Sequence, residues 1–228
     1  DSPRDLRPLA AFSVVYMAVI FFGGTRLAFL PPSSPTVRVA SLSPTPQASP
    51  HGFDRVESIV AGKATAAQVQ DFRNASASVV QDLLSRSARE AADGAKIVFW
   101  SETADYVLAA DEPALLAKGR DLAKNYGVYL GVTLGTWTPG APLPLQNKLV
   151  LIEPDGNIAW QYLKARPTPG PESEESAPSD GKLRWLDTSY GRVSAAICYD
   201  MDFPSVMKQA GADRAALVLS PAGDWLGI

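Results

Sequence analysis

Residues 64 to 101 read ATAAQVQDFRNASASVVQDLLSRSAREAADGAKIVFWS, and the hydrophobic period changes inside this stretch. Val69, Phe72, Val79, Val80, Leu83, Leu84, Ala88 and Ala91 fall at the three- and four-residue steps of one helix face. Gly94 stops that helix, and KIVFWS follows at once as a short apolar run of strand character. A long helix with one apolar face must pack on something flat, and a strand directly behind it supplies part of that surface.

Working outward, the alternation continues. EPALLAKGRDLAKNYG (112–127) reads as a second helix ended by Gly127, and VYLGVTL (128–134) as the next strand. Upstream, TVRVASLS (36–43) alternates apolar and polar residues as a sheet member should, whereas LSPTPQASPHG (42–52) is too rich in proline for helix or interior strand. Helices interleaved with strands define an α/β domain. After the loop TWTPGAPLP come two strands in NKLVLIEPDGNIAWQYLKAR, joined at Pro154-Asp155-Gly156, and a second pair in LRWLDTSYGRVSAAIC, turning at Tyr190-Gly191. PSVMKQAG reads as a short helix, AALVLSP as a closing strand and PESEESAPSDG as a solvated loop.

At 228 residues and 46% hydrophobic content the chain can bury one sizeable core. The balance of 21 basic against 24 acidic residues leaves a net charge of -3, which excludes the basic footprint of a nucleic-acid binder. Near the start, LAAFSVVYMAVIFFGG (9–24) is uncharged and resumes after Arg26 as LAFLPP, close to the ~20 residues that cross a bilayer. The expectation is a membrane helix ending near Pro31, a boundary near Pro35, and a soluble domain over residues 36 to 228. A signal-peptide core or a buried helix is the alternative, but no small-x-small cleavage site follows the apolar stretch. Arg4 and Arg7 before the span, against Arg26 and Arg38 behind it, lean towards an extracytoplasmic domain. A chain that starts with Asp is expected to be a piece of a longer protein, with further spans ahead of it.

Three reactive side chains stand where strands give way to loops: Glu102 after KIVFW, Lys164 after IAWQY and Cys198 after RVSAAI. Strand ends of α/β sheets are where ligands bind, because the sheet holds the geometry while the loops shape the pocket. A neutral thiol needs a base to take its proton, a role open to Glu102, and a cation near the charge it creates, a role open to Lys164. The backbone N–H of Tyr199, the residue after Cys198, is a second donor for an oxyanion. The bland reading of a lone cysteine in an apolar run is inert core. His51, in the proline-rich loop, is the single histidine and offers a Cys-His dyad only if that loop reaches Cys198. Asp200 and Asp202 read as structural or loop-positioning groups; the chain predicts no metal site and no cofactor. Gly131 to Gly135 is strand, without the helix onset a phosphate loop requires.

FWSETA (99–104), YLKARPTPGPE (162–172) and AAICYDMDFP (195–204), in that order, resemble the glutamate, lysine and cysteine motifs of the nitrilase, or carbon-nitrogen hydrolase, superfamily. The resemblance runs from about Val37 to the end and is most similar to the apolipoprotein N-acyltransferase branch, which often carries a second glutamate eight residues past the lysine, here Glu172. It implies a four-layer αββα sandwich continuing beyond Ile228, a Glu102-Lys164-Cys198 triad and a thioester at the cysteine. For that branch it further implies a bacterial cell membrane enzyme that moves an acyl chain from phospholipid to a lipoprotein amine. LSPAGDW also resembles a pocket-lining segment of that branch. Two positions depart from it: Ser101 replaces a proline, and Asp200 stands where that branch more often has glutamate, aspartate being the common residue in soluble nitrilase-type amidases. The alternatives are a membrane-anchored hydrolase of small amides and a degenerate domain kept for binding.

Overall fold

A computed structural model describes residues 6–30, 36–45 and 53–223. The chain divides into two compact units, residues 1–36 and 37–228. In the first, helix α1 (Arg7–Phe29) carries no acidic residue in its first turn and exposes nearly all of its side chains. With a mean hydropathy of 1.7 it is long and apolar enough to cross a membrane. Pro31 and Pro35 lie outside the described residues.

The second unit holds two sheets. The larger has the order β1 (Val39–Leu42), β2 (Ile97–Trp100), β4 (Tyr129–Trp137), β5 (Leu145–Ile152), β6 (Ile158–Leu163), with β3 (Asp105–Leu108) also paired to β4. β1, β2 and β3 run parallel to their partners, while β4, β5 and β6 are antiparallel neighbours. The smaller sheet is β7 (Trp185–Thr188), β8 (Gly191–Ala195), β9 (Leu217–Leu219), antiparallel and then parallel. The two hairpins stand where the turn residues put them. Gly156 adopts φ +85 and Gly191 φ +104, backbone that a side chain would strain.

Helix α3 (Ala66–Ala92) is longer than an isolated amphipathic helix needs to be, and both ends are fixed by sequence. Thr65 accepts from the Gln68 N–H while the Gln68 side chain accepts from the Thr65 N–H, a reciprocal cap. With α4 (Glu112–Tyr126) it covers one face of the large sheet, through Val79, Val80 and Leu83 on one side and Val98, Leu130, Val132 and Val150 on the other. A second core joins the opposite face, through Ile97, Leu149 and Leu151, to Val193 and Leu219 of the small sheet and to Val206 and Ala210 of α6 (Pro204–Ala212).

Three elements differ from the sequence expectation. Helix α2 (Phe53–Val60) follows the proline-rich loop and buries Val56 and Ile59 against Phe72, Trp137 and Leu145. Strand β3 forms because β4 runs on to Trp137, past its expected end at Leu134, and offers residues 134–137 as a parallel edge. The acidic segment expected as solvated loop begins with the short helix α5 (Pro171–Glu175), which carries Glu172 inward.

Candidate active site

Because side chains alternate across a strand, paired residues on neighbouring strands share a face. Tyr106 of β3 pairs with Gly135 of β4, Gly135 pairs with Asn147 of β5, and the Lys164 N–H donates to the Asn147 carbonyl at 2.9 Å. This row looks away from α3 and α4. Glu102 joins it from the turn after β2, where the Ser101 N–H donates to the Leu42 carbonyl and the Thr133 hydroxyl donates to the Ser101 carbonyl. A proline at position 101 would lack the first of these donors.

The charged groups meet here. Lys164 Nζ lies 2.7 Å from Glu102 Oε1 and 2.9 Å from Glu172 Oε2, and its third donor reaches Thr168 Oγ1 at 3.2 Å. Asn147 Nδ2 bridges the same carboxylates, 2.8 Å from Glu102 Oε1 and 2.7 Å from Glu172 Oε1. The Thr168 N–H donates to Glu172 Oε2 at 2.8 Å. Lys164 is only 3% exposed, so the ammonium can be kept there only by its partners. Burial opposes its charge, but Glu102 and Glu172 outweigh burial and raise its pKa, so it is a cation at neutral pH. Burial likewise opposes the Glu172 charge, and donation from Lys164, Asn147 and the Thr168 N–H overcomes it and holds that carboxyl below the usual range. Two carboxylates around one ammonium leave a surplus negative charge.

Cys198 comes from the other sheet. The β8–β9 ladder continues past both strands, with the Ala196 N–H on the Leu219 carbonyl and the Cys198 N–H on the Pro221 carbonyl at 2.9 Å. The chain then turns sharply into a 3-10 helix (Cys198–Asp202), with Cys198 at φ +46, a left-handed conformation costly for a residue with a Cβ. Asp200, fully buried, holds this turn: it accepts from Tyr162 OH at 2.7 Å, the Arg166 N–H at 2.7 Å and the Ile197 N–H at 3.0 Å. Asp202 is exposed. The Cys198 thiol donates to the Glu102 carboxylate, and the Gly223 N–H serves both the sulfur and Glu102 Oε2, the latter at 3.2 Å. Burial first, then the Glu102 charge, push the thiol above its usual pKa. At rest it is therefore a protonated thiol hydrogen-bonded to a carboxylate.

The structure brings Glu102, Lys164, Glu172 and Cys198 into one cluster and puts Tyr199 on the first turn after the thiol. It adds Asn147 and Thr168, which the sequence does not single out, and puts Gly223 of the LSPAGDW segment against Glu102. His51 lies outside the described residues, as does the LSPAGDW segment from residue 224 on. Among the described residues no group of three or more His, Cys, Asp or Glu is placed to hold a metal.

The model of the Carbon-nitrogen hydrolase family matches residues 36–226. A probable hydrolase, YhcX, of Bacillus subtilis (strain 168) is 29% identical over 101 residues, which is 44% of this chain and 19% of that protein. N-carbamoylputrescine amidase of Solanum tuberosum is 26% identical over 109 residues, 46% of this chain and 35% of that one. The match thus spans well under half the length of either relative. Among solved structures, an amidase from Nesterenkonia sp. superposes with a TM-score of 0.59 at 20% identity, covering 82% of this chain and 66% of its own. A structure of the Nesterenkonia sp. AN1 amidase that shows Michael addition of acrylamide at its active site cysteine superposes with a TM-score of 0.60 at 18% identity, covering 83% and 69%.

Proposed function

The chain belongs to the carbon-nitrogen hydrolase family, and we propose that within it the chain is an amidase-type hydrolase that cleaves C–N bonds through a thioester on Cys198. The observation that carries this reading is the Cys198 thiol hydrogen-bonded to Glu102, whose carboxylate in turn lies 2.7 Å from a buried ammonium. The similarity to amidases supports the same chemistry.

In the proposed reaction Glu102 takes the thiol proton as the sulfur attacks the amide carbonyl carbon, and the carbonyl electron pair moves to oxygen. Lys164 and the Tyr199 N–H receive that oxyanion. All three Lys164 donors are occupied at rest, and the longest bond, to Thr168, is the one a substrate oxygen displaces most cheaply. Collapse of the tetrahedral species breaks the C–N bond, and the leaving amine takes the proton from Glu102. Water then attacks the thioester, gives its proton to Glu102, and the carboxylic acid departs as the sulfur recovers the proton. Glu172 and Asn147 keep Lys164 and Glu102 in register throughout. The four-layer αββα arrangement belongs to this reading.

A second reading is favoured by one feature, the exposed apolar helix α1. A site held at a membrane meets acyl chains of phospholipid, and an amine such as a lipoprotein N-terminus would replace water as the acceptor. Ammonia release from short aliphatic amides tests the first reading: it should be measurable in the wild-type protein and lost in Cys198→Ala. No release from amides, with acyl transfer from phospholipid to an amine instead, would replace the first reading by the second.

A further inference from the structure

Tyr106 stands in the row of the site but takes no part in the reaction above. Its partner across the sheet is Gly135, and a Cβ there would lie 2.4 and 2.6 Å from ring carbons of Tyr106 and 3.5 Å from the Thr103 methyl. The missing side chain is therefore what lets the Tyr106 ring lie flat over β4, with Thr103 beside it. The ring also meets that of Trp137, tilted by 55° with the centroids 6.4 Å apart. The Tyr106 hydroxyl shares a hydrogen bond with the Thr103 side chain. Thr103 follows Glu102 directly and sits at φ +42, a left-handed conformation that a β-branched residue adopts only when its surroundings hold it there.

We propose that Tyr106 is a positioning residue: its hydroxyl pins the left-handed Thr103, and this pinned turn aims the Glu102 carboxylate at Cys198. The inference rests on the reading of Glu102 as the base for Cys198. Burial, with the Glu102 and Glu172 charges adding to it, raises the Tyr106 phenol, which thus remains a neutral hydroxyl next to Lys164 and both carboxylates. Released from the pin, Thr103 relaxes to ordinary backbone and carries Glu102 away from the thiol.

The test is the pH dependence of Cys198 alkylation by iodoacetamide, followed by mass spectrometry on the full chain, alongside amide turnover. Glu102 raises the thiol in the resting site, so Glu102→Gln should move the alkylation midpoint to lower pH. Tyr106→Phe keeps the ring on Gly135 and should move it the same way, with kcat down about tenfold and KM unchanged. Thr103→Val removes the other hydroxyl and should match Tyr106→Phe, and the double variant should be no worse than either single one. A Tyr106→Phe midpoint equal to wild type, or a double variant that adds the two effects, overturns the inference. A wild-type protein without amide turnover would count against the proposed hydrolase, whereas the alkylation midpoints would still decide the role of Tyr106.

Discussion

Two adjacent rows cross the large sheet and face opposite ways. Asp105, Leu134 and Lys148 look towards α3 and α4; Tyr106, Gly135, Asn147 and Lys164 look towards Cys198. Both rows bury a lysine in contact with carboxylate. Lys148 Nζ lies 2.7 Å from Glu112 Oε2 of α4 and 3.0 Å from Gln146 Oε1, a one-to-one pair. Asp105, 2% exposed, accepts from Ser76 of α3 at 2.5 Å. On this side Lys148 and Asp105 are each answered by a helix, through Glu112 of α4 and Ser76 of α3. The other row has two carboxylates for one ammonium, a thiol pressed against one of them, and two non-glycine residues, Thr103 and Cys198, in left-handed backbone. Burial alone does not mark a site; unbalanced charge beside a nucleophile on strained backbone does.

Breaking the site row should cost activity, and breaking the helix row should cost stability. The largest effect is expected from Glu102→Gln, which keeps the shape but removes the proposed base. Amide turnover should fall roughly a hundredfold to ten-thousandfold while thermal unfolding stays close to wild type. Lys148→Met leaves Glu112 buried without its cation and should cost about 3–5 kcal/mol in denaturant unfolding. Pairing it with Glu112→Leu should restore most of that loss with turnover intact, a rescue that no double replacement within the site row would give.

The next effect is a pH dependence on the helix side. Burial pushes Asp105 up to about 7, so the folded state holds a proton that the unfolded chain has already lost above the ordinary carboxylate value of 3.8. Stability should therefore fall as pH rises from about 4 to about 7 and level off above, by a few kcal/mol in all. Asp105→Asn should flatten that slope and stabilise the protein at pH 8. If the slope persists unchanged in the variant, the assignment to Asp105 is wrong.

The helix row was more legible in the sequence than the site row, for a physical reason. Residues such as Val79, Leu83, Val98 and Val132 repeat at helical or strand period, and periodicity is a local signal. The same holds for the turns at Gly156 and Gly191, whose backbone demands glycine within a few residues of the strands they join. Glu102, Lys164 and Cys198 are legible because each ends an apolar run, whereas Glu172 is legible only through the family resemblance. Asn147 and Thr168 carry no local mark; they matter only once β5 and the segment leading into α5 converge. Strand β3 was hidden because four residues starting with a buried aspartate have no strand signature until the tail of β4 pairs with them. Helix α2 and the inward turn of α5 owe their place to contacts far along the chain, Val56 on Trp137 and Glu172 on Asn147.

Intact-mass spectrometry of the protein quenched during amide turnover decides whether Cys198 is a nucleophile or core filling. A nucleophilic Cys198 should give an added acyl mass that maps to it as a hydroxylamine-sensitive thioester, absent in Cys198→Ala and strongly reduced in Glu102→Gln. Turnover without any adduct on Cys198, or an adduct that survives in Cys198→Ala, would contradict it.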